Sequence, residues 1–222
     1  MNKATEYIAA YLLEDVFFEN FKLRKKDTSL IRKLSSGFEK VELQNWADTN
    51  RSSGAKELVV RPVYSKRFDV LHKWFERFSF KSLSDQRDAY SIGFEGVMLG
   101  KKNEYHFPIS ERFCPEWQVF RNEIVANARS VFNKYTCLAD MYKYLVFPSI
   151  QGDKLLPDVG ADWVFEYLLL TRIVDEKNYG KAKNVILDRV EEMNNRGEPN
   201  IERYYAELDK ILLHLENECI GT

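Results

Sequence analysis

The sequence contains little cysteine and little histidine, and neither is arranged as a metal site or a disulfide framework. Three residues of each type occur in 222 positions, at Cys114, Cys137, Cys219, His72, His106 and His214. The cysteines are an odd number without CxxC spacing, and the histidines form no HxH or HxxxH pair. We therefore expect no disulfide framework, no metal site and no cofactor. Unpaired thiols are typical of a reducing compartment.

The chain also lacks a long hydrophobic run and an excess of either charge. No apolar run approaches the roughly 20 residues that a membrane span needs. Residues 1–11 carry Lys3 and Glu6 and show no apolar core followed by a signal cleavage site. The 33 basic residues nearly balance the 34 acidic ones, so the whole molecule attracts neither nucleic acid nor acidic lipid. These patterns predict a cytoplasmic protein without membrane association.

Recognisable catalytic motifs are missing as well. Gly93, Gly96 and Gly100 have the spacing GxxGxxxG with no GKS or GKT after it, which favours a hairpin over a phosphate-binding loop. No GxSxG is present. Cys114 precedes a helix start, but no nearby pattern supplies a base for it. We assign no catalytic residue.

The composition, with 45% hydrophobic and 14% aromatic residues, is that of a globular protein. Along the chain, hydrophobic residues recur with the period of a helix in some segments and alternate as in a strand in others. Helical spacing predicts helices over residues 5–24 and 29–35, the second ending at Gly37. Alternation then predicts strands around Val41 and over residues 58–64, where Pro62 indicates an edge strand or a bend. A 3-4-3 spacing from Phe68 to Phe78 predicts a helix, and residues 92–109 predict a hairpin.

The second half is predicted to be helical. Pro115 begins a long helix, and a further helix follows to Phe147. After residues 148–160, which are rich in Pro and Gly, three helices are expected over residues 161–176, 179–194 and 199–217. The predicted fold is α+β, with a small mixed or antiparallel sheet flanked by helices and a C-terminal helical bundle. We expect an α+β domain over residues 1–150 and a three-helix region over 158–222, packed on the first or separate from it.

One local charge bias suggests a binding surface. Between Arg51 and Arg87 basic residues outnumber acidic ones, and aromatic residues are interleaved with them. Pro62 places part of this band at a predicted sheet edge, and Lys73 and Arg77 share a helix face. Five basic residues are predicted to reach solvent: Arg61, Lys66, Arg67, Lys73 and Arg77. Together with Tyr64 they are the predicted binding residues.

An acidic protein surface is favoured over nucleic acid as the partner, because the chain is near neutral and no DNA or RNA motif is legible. In organisation, with an N-terminal helix, a Gly-Phe pair leading into strands and a helical tail, the chain resembles uncharacterised bacterial α+β proteins of the toxin-immunity and accessory kind. That resemblance implies no site residues. We expect a non-enzymatic protein-binding role, as an immunity or adaptor protein. The alternatives are a nucleic-acid-binding accessory protein that uses the basic band, and an enzyme whose site is assembled from distant residues.

Residues 148–160 are expected to form an exposed connection, because Pro and Gly interrupt regular structure there. Limited proteolysis followed by mass spectrometry should find the earliest cleavages within this interval. Early cleavage elsewhere, with the interval intact, would contradict the predicted boundary.

Overall fold

The computed structural model describes residues 3–73, 78–79, 81–109, 115–153 and 161–217. It shows the predicted α+β fold, with one antiparallel sheet of six strands and helices that continue to the C-terminal region. The chain divides into two compact units, unit 1 (Met1–Arg67 and Ile92–Lys134) and unit 2 (Phe68–Ser91 and Tyr135–Thr222). The limits of these two units differ from the predicted division into residues 1–150 and 158–222. A separate three-helix region over residues 158–222 stays a prediction.

The sheet and two long helices belong to unit 1. Their bounds are α1 (Lys3–Leu13), β1 (Lys22–Arg24), β2 (Ser29–Leu34), β3 (Gly37–Thr49), β4 (Lys56–Phe68), β5 (Ile92–Glu95), β6 (Tyr105–Pro108) and α4 (Pro115–Lys134). The strand order is β1-β2-β3-β4-β5, with β6 also paired to β4. The predicted hairpin of β3 and β4 is confirmed, and both strands are longer than expected.

Strand β4 is central, so the prediction that Pro62 lies at a sheet edge is wrong. One flank of β4 meets β3, and the other flank meets two strands in succession. Residues 57–60 pair with β6 and residues 63–66 pair with β5. Arg61 and Pro62 fall between these two registers. A proline, which lacks a backbone N–H, is tolerated where a ladder is interrupted in this way.

The predicted hairpin over residues 92–109 is also wrong, although both of its strands exist. β5 and β6 each pair with β4 and not with each other. Between them lie a 3-10 turn (Val97–Leu99) and Gly100, which has a left-handed φ of 65°. In β6 the predicted alternation holds, since Tyr105 and Phe107 are buried while His106 and Pro108 are exposed.

The predicted helix over residues 29–35 is a strand. β2 pairs antiparallel with β3, with Leu34 opposite Gly37, so Ser35 and Ser36 form a two-residue turn. Gly37 has a φ of 148° and begins β3 instead of ending a helix. The N-terminal helix is shorter than predicted: it ends at Leu13, and a 3-10 turn (Val16–Phe18) capped by Asp15 leads into β1.

Helices α1 and α4 pack on one face of the sheet. Asn127 of α4 donates to the Tyr64 hydroxyl at 3.4 Å, and Phe120 of α4 lies edge-on to Tyr105 and Phe107. From α1, Thr5 donates to the side chain of Asn45 in β3 at 3.2 Å. As predicted, Pro115 opens α4. The apolar stripe of α4 is buried: Trp117, Phe120, Ile124, Ala128 and Val131.

Unit 2 is helical throughout its described part. Its α-helices are α2 (Asp69–Lys73), α3 (Leu83–Asp88), α5 (Leu138–Met141), α6 (Phe147–Ile150), α7 (Ala161–Val174), α8 (Tyr179–Asn195), α9 (Ile201–Ala206) and α10 (Leu208–Asn217). A π-helical segment (Tyr142–Val146) joins α5 to α6 just before Pro148, whose missing N–H a widened turn accommodates. The predicted helix over residues 199–217 is broken at Glu207 into α9 and α10.

Part of the predicted connection is regular structure. Pro148 to Ile150 belong to α6, and Ser149 is buried, so exposure begins at Gln151. Residues 154–160 lie outside the described residues, as do Cys114, Cys219 and residues 74–77 of the helix predicted after Phe68. Among the described helices, none combines the length and the apolar character of a membrane span.

Gly96, which precedes the turn after β5, has backbone atoms of another segment very close to it. A Cβ at this position would lie 2.0 Å from the Lys102 carbonyl oxygen. Replacing Gly96 with Ala should therefore lower the free energy of unfolding by about 1–3 kcal/mol, because backbone has to move. Chemical denaturation measures the change.

Gly180, at the exposed start of α8, is the matched control, since a Cβ there meets nothing within 4 Å. Gly180→Ala should raise the free energy of unfolding by up to about 1 kcal/mol. Equal effects of the two substitutions would show that the backbone near Lys102 does not approach Gly96.

Candidate binding surface

The two-residue period of β4 separates the predicted binding residues onto opposite faces of the sheet. Tyr64 and Lys66 point to the face that α1 and α4 cover, since Tyr64 meets Asn127 and Lys66 meets Glu39. Arg61 and Arg67 point to the other face. Only Arg61 of these four is partly exposed, with 31% of its side-chain surface accessible.

The expectation that Lys66 and Arg67 reach solvent is therefore wrong, and Tyr64, the aromatic residue of the predicted binding set, is buried as well. Tyr64 is 0%, Lys66 4% and Arg67 7% exposed. Burial raises the pKa of the Tyr64 hydroxyl well above its usual range. The side chain of Lys73 and all of Arg77 lie outside the described residues.

Lys66 uses its charge inside unit 1. Its ammonium lies 2.9 Å from one carboxylate oxygen of Glu39, and the Nε of Arg32 donates to the other oxygen at 2.9 Å. Glu39 is 4% exposed, so this carboxylate is buried between two cations on neighbouring strands. A buried carboxylate requires such pairing to offset its loss of hydration. Lys66 is thus a structural residue of the sheet.

Arg61 forms the centre of an exposed group that we call the sheet-face cluster, consisting of Trp46, Arg61 and Glu104. The Arg61 guanidinium lies 5.2 Å from the centroid of the Trp46 ring and forms an ion pair with Glu104. Trp46, on β3, is 38% exposed. The Glu104 hydrogen bond raises the pKa of Arg61, which keeps the guanidinium charged.

The guanidinium of Arg61 is only partly used by these contacts. Its NH2 group donates to Glu104, while its buried Nε–H meets no acceptor among the described residues. Beside the cluster, His106 stands opposite Val59 and contacts Glu57 at 3.2 Å, and Asn50 donates to the same carboxylate at 2.7 Å. The sheet face therefore offers one aromatic plane and one partly satisfied cation within a row of polar groups.

Comparison with known protein families, with curated proteins and with solved structures finds no match to this chain. The site is therefore interpreted from its own geometry.

A second polar group, in unit 2, was missed by sequence reasoning because its members lie far apart in the chain. His72 of α2 places Nε2 3.1 Å from the Ser91 hydroxyl and Nδ1 3.5 Å from a carboxylate oxygen of Glu166 in α7. The Ser91 hydroxyl also accepts the Phe68 backbone N–H at 3.0 Å. We call Ser91, His72 and Glu166 the buried relay.

The buried relay has the order of groups found in Ser-His-acid catalytic triads. Ser91 is 0%, His72 5% and Glu166 2% exposed, so no substrate reaches the hydroxyl in this conformation. A nucleophile needs that access. The arrangement instead connects the residue before β5 to α2 by the Ser91–His72 hydrogen bond, and α2 to α7 by the His72–Glu166 contact, in a low-dielectric interior.

Ser91 and Glu166 should be energetically coupled through His72. Ser91→Ala and Glu166→Gln should each lower the free energy of unfolding by about 1–3 kcal/mol. Ser91→Ala removes the buried partner of His72 Nε2 and of the Phe68 N–H, and Glu166→Gln replaces the carboxylate beside His72 Nδ1 with a neutral amide oxygen, a weaker acceptor. The double variant should depart from the sum of the two by at least about 0.5 kcal/mol. Urea unfolding of the unchanged chain, the two single variants and the double variant provides this double-mutant cycle.

Thr171→Val supplies the control for this cycle. Thr171 is buried in the same helix, but its hydroxyl donates to the Tyr167 carbonyl at 2.9 Å. Its combination with Ser91→Ala should be additive within roughly 0.5 kcal/mol. Additivity of Ser91→Ala with Glu166→Gln as well would mean that His72 does not couple them.

Proposed function

We propose that this chain is a non-enzymatic protein-binding protein and that the sheet-face cluster contacts the partner. The observation that carries the proposal is the exposed Trp46 ring with the Arg61 guanidinium stacked on it. Tryptophan and arginine are the side chains most often found as energetic hot spots of protein interfaces. Here the ring plane and the ion pair hold the long arginine in place before binding, which lowers the entropy that association costs.

The Glu104 carboxylate indicates the chemistry of the partner. It shows that an acidic side chain fits beside the stacked guanidinium, whose side chain is 31% exposed. A partner carboxylate can bind beside Glu104 or replace it. We therefore infer an acidic protein surface as the partner, as the charge pattern of the sequence predicted.

Nucleic acid is disfavoured by the carboxylates around the sheet-face cluster. Glu57 and Glu95 lie opposite Pro108 and Val63 in the strand registers, and Glu104 pairs with Arg61 itself. Binding of nucleic acid derives its affinity from several cations that neutralise successive phosphates. A single arginine among three glutamates provides no such surface, whereas one partner carboxylate needs only one arginine.

An immunity or adaptor protein is the kind of binder we infer, because that role requires a complementary surface and no chemistry. We also infer a cytoplasmic location. Cys137 has an exposed, free thiol, which supports a reducing compartment.

A capture experiment with matched variants tests the proposal. The tagged chain, incubated with a nuclease-treated lysate of its native cell, should retain a protein that mass spectrometry identifies. Trp46→Ser should weaken the affinity of that partner about 30-fold, the effect of one hot-spot side chain. Arg61→Ser should weaken it as well and reduce its dependence on salt.

Two further variants make the result specific. Arg51→Ser removes a cation from an exposed turn of the same unit and should leave binding unchanged. Glu104→Gln should strengthen binding, because it frees Arg61 for the partner. The proposal fails if Trp46→Ser and Arg61→Ser bind as the unchanged chain does, or if nuclease treatment abolishes capture.

A further inference from the structure

A groove lies along the outer side of α4, on the side of unit 1 away from the sheet-face cluster. Its volume is about 490 Å³, and it is lined by Asp15, Asn122, Val125, Ala126, Arg129, Ser130 and Asn133. Six of these residues come from three turns of α4, spaced as one helical face. The opposite face of α4, which includes Ile124 and Ala128, is buried. The groove is thus the face of α4 that the sheet leaves uncovered.

The dimensions of the groove suit an elongated ligand. From Asn122 to Asn133 the helix rises by about 16 Å, at 1.5 Å per residue. About five residues of extended peptide span this length. The lining side chains of Asn122, Ala126, Arg129, Ser130 and Asn133 are exposed. A compact small molecule would bury little of its surface in such an open channel, whereas a peptide contacts it along its length.

The groove lining carries a cation, Arg129, without an ion-pair partner among the described residues. The Arg129 guanidinium lies 5.3 Å from the centroid of the Phe17 ring. Within the described part of the chain it forms no ion pair and no hydrogen bond. The Asp15 carboxylate, which also lines the groove, accepts the Phe17 N–H at 2.9 Å and thereby holds the turn that carries the ring. Arg129 is therefore stacked and held near the groove while its donors stay available.

The other lining residues supply an apolar surface, which we call the floor of the groove, and neutral hydrogen-bond donors. Val125 and Ala126 supply apolar surface, and Ser130 and Asn133 supply neutral donors next to Arg129. Arg32, 5.9 Å from the same Phe17 ring, is paired with Glu39, so Arg129 is the cation of the groove lining that is left to a ligand. The side chain that complements Arg129 is a carboxylate, and the one that complements the floor is apolar.

We propose that this groove binds an extended acidic peptide segment of a partner protein, with a carboxylate on Arg129 and an apolar side chain on Val125 and Ala126. The site is separate from the sheet-face cluster, since α4 covers the opposite face of the sheet. It does not depend on the function proposed for that cluster. Either surface can fail its test without affecting the other.

Two blocked pentapeptides serve as probes in amide-resolved NMR titrations of the full chain. Acetyl-Glu-Leu-Glu-Leu-Glu-amide should shift the amide resonances of residues 122–133 and saturate at millimolar concentration. Acetyl-Gln-Leu-Gln-Leu-Gln-amide, which keeps the shape and removes the charge, should shift them at least tenfold less at equal concentration. The affinity for the acidic peptide should fall as the salt concentration rises.

Three variants determine whether Arg129 and the floor are responsible. Arg129→Gln should abolish the difference between the two peptides, and Arg51→Gln, in an exposed turn of the same unit, should preserve it. Ala126→Glu places a carboxylate three residues from Arg129 on an exposed helix position that glutamate tolerates, so it should prevent binding with the fold intact. Unchanged resonances over residues 122–133, equal shifts by both peptides, or full binding by Arg129→Gln would each overturn the proposal.

Discussion

Strand β4 is the constraint on which the rest of unit 1 depends. It pairs on both flanks, with β3 on one side and with β6 and then β5 on the other. Pro62 lies in the gap between the residues that pair with β6 and those that pair with β5. The proline that was expected to mark a sheet edge is therefore accommodated at the point where β4 changes partner. Because side chains alternate along a strand, β4 also decides which of its residues can meet a partner.

The alternation of side chains along β4 explains why the basic residues of the sequence were only partly correct as a predicted binding site. The basic residues between Arg51 and Arg87 are real, and on a helix or in a loop most of them would be solvated. In β4, Arg61, Lys66 and Arg67 are distributed over the two faces of the sheet, and Lys66 neutralises the buried Glu39 together with Arg32. The sequence could indicate that Arg61 and Lys66 lie on opposite faces, but the strand that supplies Glu39 could not be foreseen from local pattern.

Local pattern failed most clearly where helix and strand periods coincide. In residues 29–35 the apolar positions Leu30, Ile31 and Leu34 fit one helical face, and Gly37 suits a helix C-cap. The same residues form β2 because pairing with β3 and β1 satisfies their backbone, which is a tertiary effect. Long amphipathic helices such as α4, α7 and α8 were predictable because twelve or more residues repeat one period. The buried relay was not, since its three residues are joined only by the fold.

The binding hypotheses follow from which charges the fold leaves unsatisfied. A chain with 33 basic and 34 acidic residues can pair most of them internally, and Lys66, Arg32 and Arg24 show such pairing with Glu39 and Asp27. Near-neutral composition therefore says little about interaction, because it averages paired and unpaired groups. Arg61 and Arg129 differ from Lys66 and Arg32, which pair with the buried Glu39. Each lies on an aromatic ring near the surface, Arg61 beside the partly exposed Glu104 and Arg129 without an ion pair among the described residues. A stacked guanidinium is more weakly hydrated than an ammonium and has already lost much of its freedom, so a carboxylate that reaches it gains more than it would from a solvated lysine. The aromatic side chains Trp46 and Phe17 thus contribute to the surface chemistry of unit 1 by holding Arg61 and Arg129 in place.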